Sequence, residues 1–339
     1  MAQILLRADA SAAMGTGHVM RCLALLEVLQ ERGHACRVAQ AETTPAITAL
    51  LAERGLPVFT LPGPAGSPVD LAATLAQPDD AIILDGYHFD EAYRAGLARG
   101  GKPILAWDDG VPPVKLHATL VVNASSAARA EDYAARAPGA TLLLGPRYIP
   151  LRRDIRRLIG LPKPAEGHLL VTFGGSDPLG LTAPVLHALA LRFDGRIEAV
   201  LGGSVADPGP AEAAAALAPD RIRLHRDTPR IGDLMQGARL AVSAAGGTLA
   251  ELAALHTPSL LVVVADNQSE AARISAGHGW CSALDGRAEN AVPRIVETAL
   301  SLWEDEARLG AMLRAAEGLV DGSGPDRLAD ALEAVLLRA

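Results

Sequence analysis

The stretch QILLRADASAAMGTGHVMRCLALLEVLQERGHACRVA, residues Gln3–Ala39, decides how the chain folds. Ile4-Leu5-Leu6 is a continuous apolar run and reads as a buried strand. Val19–Glu31 is amphipathic and reads as a helix, and Ala35–Ala39 reads as a second strand. Two glycines and a histidine, Gly15-Thr16-Gly17-His18, sit where the first strand gives way to the helix. Strand, glycine loop, helix, strand is one βαβ unit, and it implies a parallel sheet.

The same alternation continues outward. Strands are expected at Val58–Leu61, Ala81–Asp85, Pro103–Trp107, Thr119–Asn123 and Thr141–Leu144, with helices at Pro45–Arg54 and Asp90–Arg99. A second series has strands at His168–Phe173, Arg196–Leu201, Ile222–His225, Leu240–Ser243 and Ser259–Val264. Its helices are Leu181–Arg192, Ile231–Gln236, Thr248–Leu255 and Gln268–His278. Near-continuous Val/Ile/Leu runs suit strands covered on both faces. Between the series, Gly145–His168 is rich in Pro, Gly and Arg and reads as a linker with one short helix. Leu302–Ala339 reads as helical, broken at Gly322-Ser323-Gly324-Pro325. The expected fold class is α/β, with two doubly wound Rossmann-like domains facing across a cleft. Residues 1–150 would form one domain. Residues 151–339 would form the other, with the last helix packing back on the first domain.

Composition agrees. At 339 residues the chain has the length of two domains, and it is 50% hydrophobic and 21% charged. Aromatic residues make up only 3%, so Ala, Leu and Val must build the core. A net charge of −8 without any Lys/Arg run argues against nucleic acid as a partner. Cys22, Cys36 and Cys281 have no zinc spacing and read as small buried hydrophobes. Ser259–Ala265, the longest apolar run, is too short for a bilayer, and Arg7 and Asp9 interrupt the N-terminal run. A cytoplasmic protein without membrane insertion is expected.

Three glycine loops stand at strand-to-helix junctions. Gly15-x-Gly17 lacks the third glycine of the dinucleotide fingerprint, since Met20 occupies that place, so no nicotinamide or flavin cofactor is read. The second loop is Gly174-Gly175-Ser176-Asp177, and the third, Gly246-Gly247-Thr248, follows Ser243. Each alone is explained by a tight turn. Two in one domain offer backbone N–H donors to a diphosphate at helix N-termini. Glu251, one turn into the following helix, suits ribose hydroxyls.

Acid–base candidates belong to the first half. His18 sits at the positive end of a helix, which favours the neutral imidazole that a general base requires. A capping histidine is the plainer reading of that position. Leu84–Asp90 closes a strand with Asp85, Tyr87 and His88, and Ala106–Val111 closes another with Asp108 and Asp109. Turn formation accounts for both stretches as well. Asp85 and Asp109 are both candidates for orienting the imidazole. No metal-ligand cluster is read.

Five blocks, RADASAAMGTGHVMRCLALLEVL, GPRYIPLRRDI, TFGGSDPLGLT, SAAGGTLAEL and VVVADNQ, occur in an order that resembles the UDP-sugar hydrolases of pseudaminic acid biosynthesis. These enzymes act on UDP-2,4-diacetamido-2,4,6-trideoxy-β-L-altropyranose. The glycine loops are shared with the wider glycosyltransferase-B class. The resemblance implies that His18 is the catalytic base, that Tyr87 lies near the sugar, and that Glu251 and Asn267 lie at the nucleotide. Substrate contacts are further expected at Gly15, Gly17, Arg21, Gly174, Gly175, Ser176, Asp177, Ile231, Ser243, Gly246, Gly247, Thr248 and Gln268. Ala245, Gly247 and Ala250 stand where the family has Gly, Ser and Trp, and Arg230-Ile231 stands where it has Asn-Met. The implied function is metal- and cofactor-independent hydrolysis of a UDP-sugar with inversion at C1, and other enzymes of the sugar pathway are the implied partners. The alternatives are a UDP-dependent glycosyltransferase of the same fold and a non-catalytic nucleotide-sugar-binding partner.

Overall fold

A computed structural model describes residues 1–11, 14–110, 112–164 and 166–338. Residues 12 and 13 of the first glycine loop, Val111 at the end of the Ala106–Val111 turn, Ala165 in the linker and the last residue lie outside the described set. The chain divides into two compact units. Unit 1 comprises Met1–Arg153 with Gly322–Ala339, and unit 2 comprises Asp154–Asp321.

Unit 1 runs β1 (Gln3–Ala8), α1 (Gly17–Glu31), β2 (Ala35–Gln40), α2 (Pro45–Glu53), β3 (Val58–Thr60), α3 (Pro68–Leu75) and β4 (Ala81–Asp85). It continues with α4 (Glu91–Arg99), β5 (Ile104–Trp107), β6 (Leu120–Asn123) and β7 (Thr141–Leu144). The seven strands form one sheet in the order β3-β2-β1-β4-β5-β6-β7, with every pair parallel. After the short α5 (Arg153–Arg156), unit 2 has β8 (His168–Thr172), α6 (Thr182–Arg192), β9 (Ile197–Leu201), α7 (Gly209–Ala215), β10 (Ile222–Arg226), α8 (Ile231–Gly237) and β11 (Ala238–Ala244). Then come α9 (Thr248–Ala254), β12 (Ser259–Val263), α10 (Ser269–Gly277), β13 (Cys281–Asp285), α11 (Ala291–Glu304) and α12 (Glu306–Ala316). Its six strands are also parallel, in the order β10-β9-β8-β11-β12-β13. The final helix, α13 (Gly324–Leu336), belongs to unit 1.

The elements start where the local chemistry directs. Thr44, Ser67 and Asp90 accept hydrogen bonds from backbone N–H groups in the first turns of α2, α3 and α4, and Pro45 and Pro68 occupy first-turn positions. Along β1, Ile4, Leu6 and Ala8 enter the core formed with α1, while Leu5 enters the core on the opposite face with Phe89, Tyr93 and Leu97. That alternation is why the run reads as continuously apolar. Four elements escape the periodicity reading. Helix α3 and the Ala-rich α7 are short, β13 is an edge strand whose middle residues are only partly buried, and of α11 the reading takes in only the last residues, from Leu302.

Helix α13 packs on α1, with Leu328, Ala329 and Leu332 fully buried in the core that α1 shares with β1. Arg32, just beyond α1, reaches Asp326, Asp330 and Glu333 on α13. The helix that carries His18 is thus braced by the last segment of the chain. Leu332→Ala should lower the stability of the unit-1 unfolding transition by about 2–5 kcal/mol, as deletion of a buried leucine side chain does. Leu337→Ala, at 89% exposure, should change it by less than about 0.5 kcal/mol. Urea titrations followed by circular dichroism would check both.

Candidate active site

In each sheet the strand order reverses once, between β1 and β4 in unit 1 and between β8 and β11 in unit 2. At such a switch point the loops leave in opposite directions and open a crevice at the carboxyl ends of the strands. The candidate residues of the sequence gather at these two places, each described within its own unit.

In unit 1, His18 is the second residue of α1 and Asp85 is the last residue of β4. The His18 Nδ1 lies 2.9 Å from Asp85 Oδ1, with both side chains almost fully buried. An ionised carboxylate only accepts, so Nδ1 carries a proton, and in the neutral imidazole Nε2 bears the lone pair. Among the described residues none hydrogen-bonds Nε2. Arg21, one turn along α1, donates Nε to Asp85 Oδ2 at 2.6 Å and Nη2 to Asp85 Oδ1 at 2.7 Å. The Cys22 thiol adds a long contact to Oδ2 at 3.5 Å. The Asp85 carboxylate is therefore saturated. Burial by itself would raise its pKa, but the charge and hydrogen bonds of Arg21, together with His18, outweigh burial and hold it at about 2. Burial first, then the Asp85 charge, pushes the Cys22 thiol well up, so that sulfur is a protonated donor rather than a nucleophile.

The remaining fork of Arg21 binds Asp109, with Nη1 at 2.8 and 2.9 Å from its two oxygens, and the guanidinium stands 4.9 Å over the Trp107 ring. Tyr87 donates its hydroxyl to Asp109 at 2.6 Å and sets its ring edge-on to His18, with centroids 4.6 Å apart. Burial, then the Asp109 hydrogen bond and charge, push the Tyr87 phenol up, so it stays a donor. The contacts close a ring: His18, Asp85, Arg21, Asp109, Tyr87 and back to His18. Of the two carboxylates that the sequence left open, Asp85 is the one bonded to the imidazole, and Asp109 reaches it only through Arg21 and Tyr87. The turn reading of Asp108–Gly110 holds at the same time, since Gly110 N–H donates to Asp108 at 3.0 Å and Gly110 has φ +85°. Asp108 itself is paired with Arg136 and Tyr133, away from His18.

Gly15 has φ +78° and donates its N–H to the Ser11 carbonyl at 2.8 Å. Among the described residues, nothing lies within 4 Å of where a Cβ on Gly15 or Gly17 would stand. Arg21, expected at the substrate, is committed to two carboxylates. His88 lies on the same loop as Tyr87 and turns the other way, with Nε2 2.9 Å from the buried Asp9. Trp107, from β5, lies under the Arg21 guanidinium, and Cys22 follows Arg21 on α1; the sequence marks neither for the cluster.

In unit 2 the loops after β8, β11 and β12 lie side by side, since those strands are neighbours. They bring together Gly174, Gly175 and Ser176, then Gly246, Gly247, Thr248 and Glu251, then Asn267 and Gln268. Gly174, Gly175 and Gly247 have no atom within 4 Å of where a Cβ would stand. Ser176 and Asn267 are exposed. Asp177 is spent on the chain, where its carboxylate takes the N–H groups of Leu181 and Thr182 at 2.9 Å each and starts α6. Ser243 is fully buried and bonds Thr248 Oγ1 at 3.1 Å. The Gln268 side chain accepts from Val264 N–H at 3.0 Å and fixes the β12 loop. Ile231 opens α8, which packs on α9. Among the described residues no group of three or more His, Cys, Asp and Glu is placed to hold a metal ion, and no helix is long and apolar enough to cross a membrane.

This pair of units, seven and six parallel strands with helices between, is the glycosyltransferase-B fold. The crystal structure of Acinetobacter baumannii MurG superposes with a TM-score of 0.66 at 16% identity, covering 98% of this chain and 99% of that one. A putative UDP-N-acetylglucosamine 2-epimerase from Listeria monocytogenes gives 0.66 at 12% identity, covering 99% and 97%. The spinosyn rhamnosyltransferase SpnG, complexed with thymidine diphosphate, gives 0.63 at 18% identity, covering 98% and 100%. In sequence, the UDP-N-acetylglucosamine--N-acetylmuramyl-(pentapeptide) pyrophosphoryl-undecaprenol N-acetylglucosamine transferase of Desulforudis audaxviator is 25% identical over 94% of this chain and 95% of its own length. An uncharacterized protein of Methanocaldococcus jannaschii is 24% identical over 77% of this chain, which spans only 56% of that protein. The chain matches no protein-family model.

Asp85 sets an acid limit on unit 1. Its carboxyl titrates at about 2 in the fold against an ordinary 3.8, so its stabilisation is complete above the ordinary value and is lost as pH falls through the folded one. Between about pH 4 and pH 2 the wild type should lose on the order of 2 kcal/mol from this group. Asp85→Asn, which cannot titrate, should be less stable at pH 7 and show a shallower fall over that window. Chemical denaturation at several pH values would check the slopes, and parallel slopes would deny Asp85 this role.

Proposed function

We propose that the protein is a nucleotide-sugar-dependent enzyme that breaks the bond between an anomeric carbon and a nucleoside diphosphate, with His18 as general base. The observation that carries this reading is the buried His18–Asp85 pair, which places an N–H at Nδ1 and, in the neutral imidazole, leaves Nε2 as a proton acceptor without a hydrogen-bond partner among the described residues. Nε2 takes the proton of an acceptor O–H as that oxygen bonds to C1. The C1–O bond to the diphosphate breaks, and its electron pair leaves with the nucleotide. Direct displacement inverts C1, by analogy with the single-displacement glycosidases. The glycine loops and helix starts of unit 2 suit the diphosphate, with backbone N–H groups carrying the developing charge. Glu251 is assigned to the ribose and UDP to the nucleotide.

The acceptor is taken to be a hydroxyl group of a second molecule, which makes the enzyme a UDP-sugar glycosyltransferase. The transferase from Desulforudis audaxviator, similar along nearly the whole chain, supports that reading. The second reading takes water as the acceptor and a UDP-linked 2,4-diacetamido-2,4,6-trideoxy hexose as the substrate. Its support is the five sequence blocks shared with the hydrolases of pseudaminic acid biosynthesis.

Pure protein incubated with a panel of UDP-sugars, with and without hydroxyl acceptors, should release UDP. Release that depends on the acceptor marks the transferase, and release with stoichiometric free sugar in its absence marks the hydrolase. His18→Ala should cut kcat by about 10²–10⁴-fold, the usual contribution of a general base. UDP affinity measured by calorimetry should stay within a factor of about two, since the assigned nucleotide contacts belong to unit 2. Turnover should survive exhaustive EDTA treatment, and loss that magnesium restores would require a metal-bridged diphosphate.

A further inference from the structure

One buried cation in unit 1 is unused by the reaction as proposed. Arg94, in α4, is 3% exposed and forms no ion pair among the described residues. The other deeply buried arginine of this unit, Arg7, is paired with both Asp70 and Asp9. Arg94 instead donates Nε to the Phe89 carbonyl at 3.0 Å and Nη2 to the Gly86 carbonyl at 3.4 Å, while its Nη1 is buried without a hydrogen-bond partner. Burial lowers its pKa, and the charges of Asp108 and then Asp85 oppose that fall. A bare buried guanidinium is costly, so its retention asks what those two carbonyls hold.

They are the two ends of the loop that carries Tyr87. Gly86 and Phe89 are buried, and Tyr87 between them is 47% exposed. The loop is folded tightly on itself, for a Cβ on Gly86 would stand 2.7 Å from His88 Cε1 and 2.8 Å from Phe89 Cε2. Its far end is fixed by Asp90, which accepts the Tyr93 N–H at 2.8 Å. A rigid fork with several donors spans two carbonyls as a lysine ammonium, a point charge on a flexible stem, does not.

We propose that Arg94 is a positioning residue: it clamps the loop Gly86–Phe89 so that Tyr87 lies against His18 and Asp109 in the geometry that the reaction uses. The inference rests on the reading of His18 as the base. It acts through Tyr87 and not through contact with substrate.

Two measurements test it. Amide hydrogen exchange on Arg94→Lys and Arg94→Met should be faster in residues 86–90 by about tenfold or more, with β1 and β5 as protected as in the wild type. Faster exchange throughout unit 1, or none in the loop, would overturn the clamp, and Arg94→Lys keeps the test open if Arg94→Met does not fold. In the kinetic arm, Arg94→Met should lower kcat about tenfold when Tyr87 is present and change it less than about threefold in a Tyr87→Ala background. Equal losses in both backgrounds would mean that Arg94 does not work through Tyr87. If the wild type turns over no UDP-sugar, the functional reading fails, and the exchange data still decide the clamp.

Discussion

A single buried carboxylate organises unit 1. Asp85 ends β4 with almost no exposure and accepts from His18, twice from Arg21, and weakly from Cys22. A lone carboxylate in that position would raise its pKa and neutralise. Arg21 prevents this, and the price is that Arg21 can do little else. The consequence for chemistry is specific. Because Asp85 stays ionised, it can only accept, so the imidazole must present Nδ1–H to it, and in the neutral ring the lone pair is on Nε2. The tautomer of His18 is thus a property of an arginine one turn along the same helix. Removing either charged partner leaves the other buried and uncompensated, which typically costs more than the pair contributes.

The fold brings the pair together without any special device. β1 and β4 are adjacent strands at the point where the winding reverses, so the helix after β1 and the last residue of β4 meet at the same sheet edge. Asp109 arrives from β5, the next strand out. Unit 2 repeats the arrangement with β8, β11 and β12, but there the residues at the edge are glycines and small polar side chains. One switch point is built around side chains and the other around backbone. That division matches the two demands of the proposed reaction, moving one proton and holding a spread negative charge.

Most of this fold is legible in the chain because parallel strands covered on both faces leave unbroken apolar runs. β1, β4 and β8 are bounded within a residue by such runs. What escapes are elements whose burial is partial, such as β13, or that are short, such as α3 and α7; α11 escapes as well, although its buried face, Ala291, Ile295, Val296, Ala299 and Leu302, follows helical spacing. For the site, the sequence yields residue types and their strand-end positions, and not their pairing. His18 and Asp85 are 67 positions apart, and no local spacing tells Asp85 from Asp109. Arg21 reads as a substrate contact because nothing nearby in sequence shows that two carboxylates already occupy it. Asp177 and Ser243 are open to a similar double reading. Asp and Ser beside glycines suit a ligand loop and suit a helix start equally well, and here both satisfy the chain's own donors and acceptors.

A His–Asp base is indifferent to what it deprotonates. Water and a sugar hydroxyl present the same O–H to Nε2, so the pair proposed to carry the reaction does not decide between hydrolysis and transfer. On the proposed reading, that choice would rest on what lies against the imidazole and on the exposed ring of Tyr87. A transferase must exclude water from the imidazole until a bulkier hydroxyl is in place, while a hydrolase must keep one ordered water there. Tyr87 is the side chain best placed to do either, since its ring already covers one edge of His18 and its hydroxyl is tied to Asp109. With the phenol held by Asp109, and with the loop beneath it clamped as proposed, the ring would be a wall of set position instead of a mobile flap. In the proposed reaction the acceptor would be selected by the shape of that wall, and the chemistry at Nε2 would follow from whichever oxygen reaches it.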